Sequence, residues 1–96
     1  MATLKNDTYP FTFEAVREKA PNASGVYSLC TPQRWVYIGE SDDIQMSLFR
    51  HLNEPSESLT RFGPLSFSME LAATAERHAL QQCLVDALDP ACDTDH

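Results

Sequence analysis

The chain has 96 residues, 43% hydrophobic and 22% charged, with seven Lys and Arg against fourteen Asp and Glu and a formal net charge of -7. These values suit one domain, 1–96, around one core, and they exclude wholesale disorder. Such an acidic balance disfavours duplex DNA and anionic membranes, because binding either one depends on Lys and Arg. The acid is uneven: residues 1–40 are neutral overall, whereas residues 41–96 set Arg50, Arg61 and Arg77 against ten acids.

Along the chain, Thr12 caps a short helix reaching Ala20, with Phe13 and Val16 facing inward and Pro21 stopping it. Residues 25–30 form a strand, Thr31-Pro32-Gln33-Arg34 a turn, and residues 35–39 the return strand of a hairpin. Ser41 or Asp42 caps the next helix, whose Ile44, Leu48 and Leu52 recur at every fourth position beside Phe49. Residues 53–62 are a polar loop or a short irregular helix. Residues 65–71 alternate apolar and polar, the pattern of a half-buried strand. A long helix follows from Thr74 to Leu88, with Leu80, Cys83, Leu84, Ala87 and Leu88 on its core side, and Pro90 ends it. Met46, Phe49 and Met69 belong to the core. The expected fold is α/β: a small three-stranded, mostly antiparallel sheet flanked by helices in the order α-β-β-α-β-α.

No apolar run approaches the roughly 18–20 residues that span a bilayer, and no signal-peptide core opens the chain. Cys30, Cys83 and Cys92 are odd in number and lack C-x-x-C spacing, so they read as reduced thiols in a cytoplasmic protein. Cys83, Cys92, His78 and His96 match no standard zinc spacing. Residues 94–96 close an acidic tail.

Gly25-Val26-Tyr27, nine residues, and then Tyr37-Ile38-Gly39 resembles the paired motif of the GIY-YIG nuclease family. Asp43-Ile44 opening a helix that ends at His51, and Leu84-Val85 followed by Pro90, extend the resemblance over about residues 23–93. The resemblance implies a metal-dependent phosphodiesterase acting on DNA. Its tyrosines would lie near the scissile phosphate, its basic residues would hold that phosphate, and a glutamate on the last helix would bind the ion. Phosphodiester hydrolysis needs an activated water, a cation on the non-bridging oxygens and stabilisation of the leaving oxygen.

Tyr27, Tyr37 and His51 keep the family's chemistry at matching positions. The other positions do not. Glu40 stands in place of the family lysine, Ser47 of the arginine, Gln81 of the metal-binding glutamate and Asp93 of the exit asparagine. An amide can coordinate Mg²⁺ but brings no charge, and Arg77, one turn before Gln81, would repel a cation. These departures together imply a protein that no longer catalyses, needs no cofactor, and acts as a binding or regulatory module. Its partner would be a protein, or a small polar ligand in the former cleft. Trp35 is a candidate contact, or is partly buried against the first helix. The alternative is a divergent Mg²⁺- or Mn²⁺-dependent endonuclease using Glu40 or Asp93 for the ion and Arg50 for the phosphate. An acidic surface mimicking DNA is a third reading.

Overall fold

The computed structural model describes residues 8–54 and 57–91. Its elements are β1 (Tyr9–Pro10), α1 (Phe13–Lys19), β2 (Gly25–Cys30), β3 (Trp35–Ser41), α2 (Ile44–Asn53), α3 (Glu57–Thr60), β4 (Ser66–Leu71) and α4 (Thr74–Leu88). The strands form one sheet in the order β1-β4-β2-β3, antiparallel throughout. The sheet therefore has four strands rather than the expected three. The additional strand is β1, which pairs Tyr9 with Phe67 and Pro10 with Ser66. Two residues are too few to show a period of two, so sequence alone gives no sign of it.

Strand β2 lies between β3 and β4, and all six of its residues are buried. Tyr27 and Leu29 face a cluster with Val16 of α1 and its C-cap Ala20, Ile44 and Leu48 of α2, and Phe67 of β4. Val26 on the opposite face packs with Ile38 and with Leu84 of α4. Ser28 and Ser68 are register partners, both fully buried, and their hydroxyls pair at 2.7 Å. Each satisfies the other in a place water cannot reach.

The hairpin carries a bulge that the sequence did not announce. Trp35 pairs with Cys30 and Tyr37 with Leu29, leaving Val36 as the extra residue. Val36 and Tyr37 consequently bury on the same side of the sheet. In the turn, the Thr31 N–H donates to the Arg34 carbonyl at 2.9 Å. Thr31 Oγ1 accepts from the Gln33 and Arg34 amides at 3.2 Å each.

Thr12 caps α1 by accepting from the Ala15 amide at 3.1 Å. Helix α2 is capped by Asp43, not by Ser41 or Asp42, through a 3.1 Å bond from the Met46 amide. Ser41 instead braces that turn: its hydroxyl accepts from the Asp43 N–H and donates to the Asp43 carbonyl, both at 2.9 Å. Two further residues expected inside are exposed, Phe13 at 52% and Met46 at 55%. Phe13 stacks on the Phe49 ring, with centroids 5.9 Å apart, at the outer margin of the α1–α2 contact.

Helix α4 also turns differently from the expected face. Leu84 is its fully buried residue, and Leu80, Val85 and Leu88 pack beside it, whereas Cys83 and Ala87 are exposed. Counting apolar residues alone misplaces the stripe, because half-buried Arg77 and Gln81 continue it as polar groups with partners on β3. The helix ends at Asp89 in the left-handed region (φ 50°), whose N–H donates to the Val85 carbonyl. The Ala91 N–H then donates to the Trp35 carbonyl at 3.0 Å. No helix among the described residues is long and apolar enough to cross a membrane.

Candidate functional site

The residues singled out by sequence fall into two groups on opposite faces of β3. On the α1–α2 face, Tyr27, Tyr37 and His51 form a triangle of rings. Centroid separations are 6.1 Å for the tyrosines, 5.7 Å for Tyr27 with His51 and 5.4 Å for Tyr37 with His51. Tyr27 Oη and His51 Nε2 share a 2.9 Å hydrogen bond. The register explains the grouping. Tyr27 pairs with Gly39 and Leu29 with Tyr37, so the tyrosines sit diagonally on one face. His51 follows Ile44 by seven residues and Ser47 by four, which aims it from α2 at the sheet.

Gly39 makes the arrangement possible. A Cβ there would lie 2.6 Å from Tyr27 Cζ and Oη and 2.9 Å from Tyr37 Cε2. At Gly25 a Cβ would run into the Glu70 carbonyl oxygen and come within 2.9 Å of Ile44 Cδ1. Gly25 thus sits where a neighbouring strand's backbone leaves no room for a side chain, and Gly39 where the two tyrosine rings leave none.

Ser47 supplies no cation. Its hydroxyl donates to Ser41 Oγ at 2.6 Å and so joins the hydroxyl brace at the start of α2. Arg50 is exposed and lines a shallow depression with Met46, Phe49, Asn53 and Glu54. A cavity of about 210 Å³ opens beside His51, lined mainly by Phe11, Leu52, Leu59, Pro64 and Leu65.

The second group lies under α4. Glu40 pairs with Val26 and shares its face. It accepts from Arg77 Nε at 3.0 Å and meets His78 Nδ1 at 2.6 Å. Arg77 Nη1 also donates to Ser24 Oγ at 3.2 Å. Gln81 Nε2 donates to the Ile38 carbonyl at 3.1 Å. Trp35 is half-buried against Val26, Ile38 and Leu84, on the α4 side rather than against the first helix. Sequence reasoning missed the ion pair altogether. Its partners are 37 residues apart, and no local spacing joins them.

These residues do not fit a divalent cation. Both Glu40 oxygens are engaged, Gln81 directs N–H donors into its contact, and Arg77 brings positive charge. Among the described residues no group of three or more His, Cys, Asp and Glu is placed to hold a metal ion. Asp93, together with Cys92 and His96 of the drawn zinc set, lies outside the described residues.

No protein-family model matches the chain. UvrABC system protein C from Hydrogenobaculum sp. (strain Y04AAS1) is 31% identical over 72 residues, which cover 75% of this chain and 13% of that protein. The chain thus spans about an eighth of the curated relative's length. Among solved structures, the GIY-YIG N-terminal endonuclease domain of UvrC from Thermotoga maritima, bound to magnesium, superposes with a TM-score of 0.71 at 24% identity. The match covers 84% of this chain and 98% of that domain. A point mutant of that domain, also bound to its catalytic divalent cation, gives 0.70 at 24% identity over 85% of this chain and 98% of its own.

Proposed function

This chain is a GIY-YIG domain by fold, and from that premise we propose that it has lost phosphodiester hydrolysis and acts as a binding or regulatory module. One observation carries the reading. The residue in the family's lysine position, Glu40, is held by Arg77 and His78, while Gln81, in the metal-binding position, is tied to the backbone of Ile38. On this reading, the positions where the family carries its phosphate-binding lysine and its metal ligand hold groups already paired with a side chain or with backbone. Ser47 removes a further phosphate-binding charge. Tyr27, Tyr37 and His51 persist as a packed cluster, and on this reading the cluster is vestigial. The chain needs no metal, and its partner is a protein or a ligand held against the former cleft.

The test is incubation of the purified chain with supercoiled plasmid and Mg²⁺ or Mn²⁺. No nicking above a metal-free control is expected, and Tyr37→Phe should leave that result unchanged. Nicking that disappears in Tyr37→Phe would overturn the proposal in favour of a divergent metal-dependent endonuclease.

A further inference from the structure

We propose that Arg34, Phe62 and Arg61 form a docking site for an acidic segment of a partner protein, one in which carboxylates flank an apolar side chain. The guanidinium carbons of Arg34 and Arg61 stand 5.6 and 5.2 Å from the centroid of one ring, Phe62. The two cations come from separate places, the β2–β3 turn and the residue after α3. Guanidiniums are drawn to the face of an aromatic ring, and sharing one ring brings two like charges together.

In a chain with twice as many acids as bases, such a pair would ordinarily be neutralised from within. Among the described residues it is not: both ion pairs there belong to Glu40, and no carboxylate of those residues pairs with Arg34 or Arg61. Glu57, four residues before Arg61 and on the same helical turn, makes no ion pair with it. Both arginines are exposed.

Beside the pair is a hollow of about 500 Å³ lined by Thr31, Pro32, Gln33, Arg34, Phe62 and Pro64. Pro32, Pro64 and the Phe62 ring provide an apolar floor at the foot of the charges. The turn is set in advance by the Thr31–Arg34 backbone bonds, so little ordering is required when a ligand arrives. Planar guanidiniums accept carboxylates in a fork, and the floor accepts the side chain between them.

The same geometry argues against nucleic acid. The Gln33 and Arg34 amides already donate to Thr31 Oγ1, so the turn offers no nest of N–H groups to a phosphate. Two cations on a chain of net charge -7 cannot hold a polyanion, whereas a short peptide with two carboxylates adds little repulsion. The inference is independent of whether the tyrosine site hydrolyses anything.

The test is fluorescence anisotropy at low ionic strength with a labelled peptide repeating Glu-Leu-Glu-Pro. Saturable binding is expected, with at least a tenfold loss in the double variant Arg34→Ala/Arg61→Ala. A peptide with Gln for Glu should not bind, and Arg17→Ala, an exposed cation on α1, should bind as the parent does. Circular dichroism verifies the fold of each variant, and Arg34→Gln/Arg61→Gln repeats the loss with longer side chains in place. Unaltered affinity in both double variants overturns the proposal, as does an absence of saturable binding at millimolar peptide. Displacement by pyrophosphate or a single-stranded oligonucleotide at concentrations below the peptide's own dissociation constant also overturns it, marking a phosphate site instead.

Discussion

Gly39 faces the Tyr27 ring across the hairpin, and the 2.6 Å left for a Cβ means that Gly39→Ala must displace an aromatic ring. Over-packing of this kind costs about 1–3 kcal/mol. A chemical denaturation midpoint should fall accordingly, and the Tyr27–His51 bond should lengthen. Cys30 offers a second residue-scale prediction. Burial raises its thiol above the ordinary value of 9.0. In the unfolded chain the thiol loses its proton around its ordinary value of 9.0, while in the folded chain it holds the proton to higher pH. Its contribution is therefore complete below about pH 9 and declines as pH rises toward the raised value. In a Cys92→Ser background, a thiol reagent should label exposed Cys83 in the native protein and Cys30 only on unfolding, with the Cys30→Ala variant losing that pH dependence. Tyr27, Tyr37 and His51 were singled out by resemblance to the paired motif, and hairpin register with helical period is what brings their rings together. The partners of Glu40 were not, since only the folded chain brings residues 37 apart into contact.

Helix α2 shows how one side chain can position an element. Asp43 accepts from the Met46 amide and from Asn22 Nδ2, both at 3.1 Å, so it both caps α2 and ties it to the segment after α1. Asp43→Ala should cost about 1–2 kcal/mol, measured by urea unfolding, with most of the loss recovered by Asn at the same position. Sequence placed α2 correctly but named the wrong cap, because Ser41, Asp42 and Asp43 are all good caps and only the brace from Ser41 Oγ selects among them. For α4 the period was visible, but its phase was not. Arg77 and Gln81 look like solvent-facing residues until β3 supplies a carboxylate and a carbonyl.

At the scale of the whole molecule, the acidic excess does not prevent a nuclease fold, which is kept over most of the chain. Both long helices and β4 were legible from hydrophobic period, and the hairpin from its strand-forming residues around the Thr31–Arg34 turn. Strand β1 and the Val36 bulge were not, because each depends on a neighbouring strand. If the scaffold is intact, Ser47→Arg with Gln81→Glu should restore plasmid nicking in Mg²⁺ only when Arg77→Ala is added. A carboxylate at position 81 otherwise stands one turn from that guanidinium and pairs with it.

The Glu40–Arg77 pair also bears on the order in which changes can accumulate. With side chains 26% and 20% exposed, it is worth about 1 kcal/mol. Glu40→Lys alone would strand Arg77 and set a like charge beside it. Gln81→Glu alone would divert Arg77 from Glu40 and remove the bond to the Ile38 carbonyl. Either change alone therefore lowers stability, so Glu40, Arg77 and Gln81 hold one another in place and tolerate substitution only together.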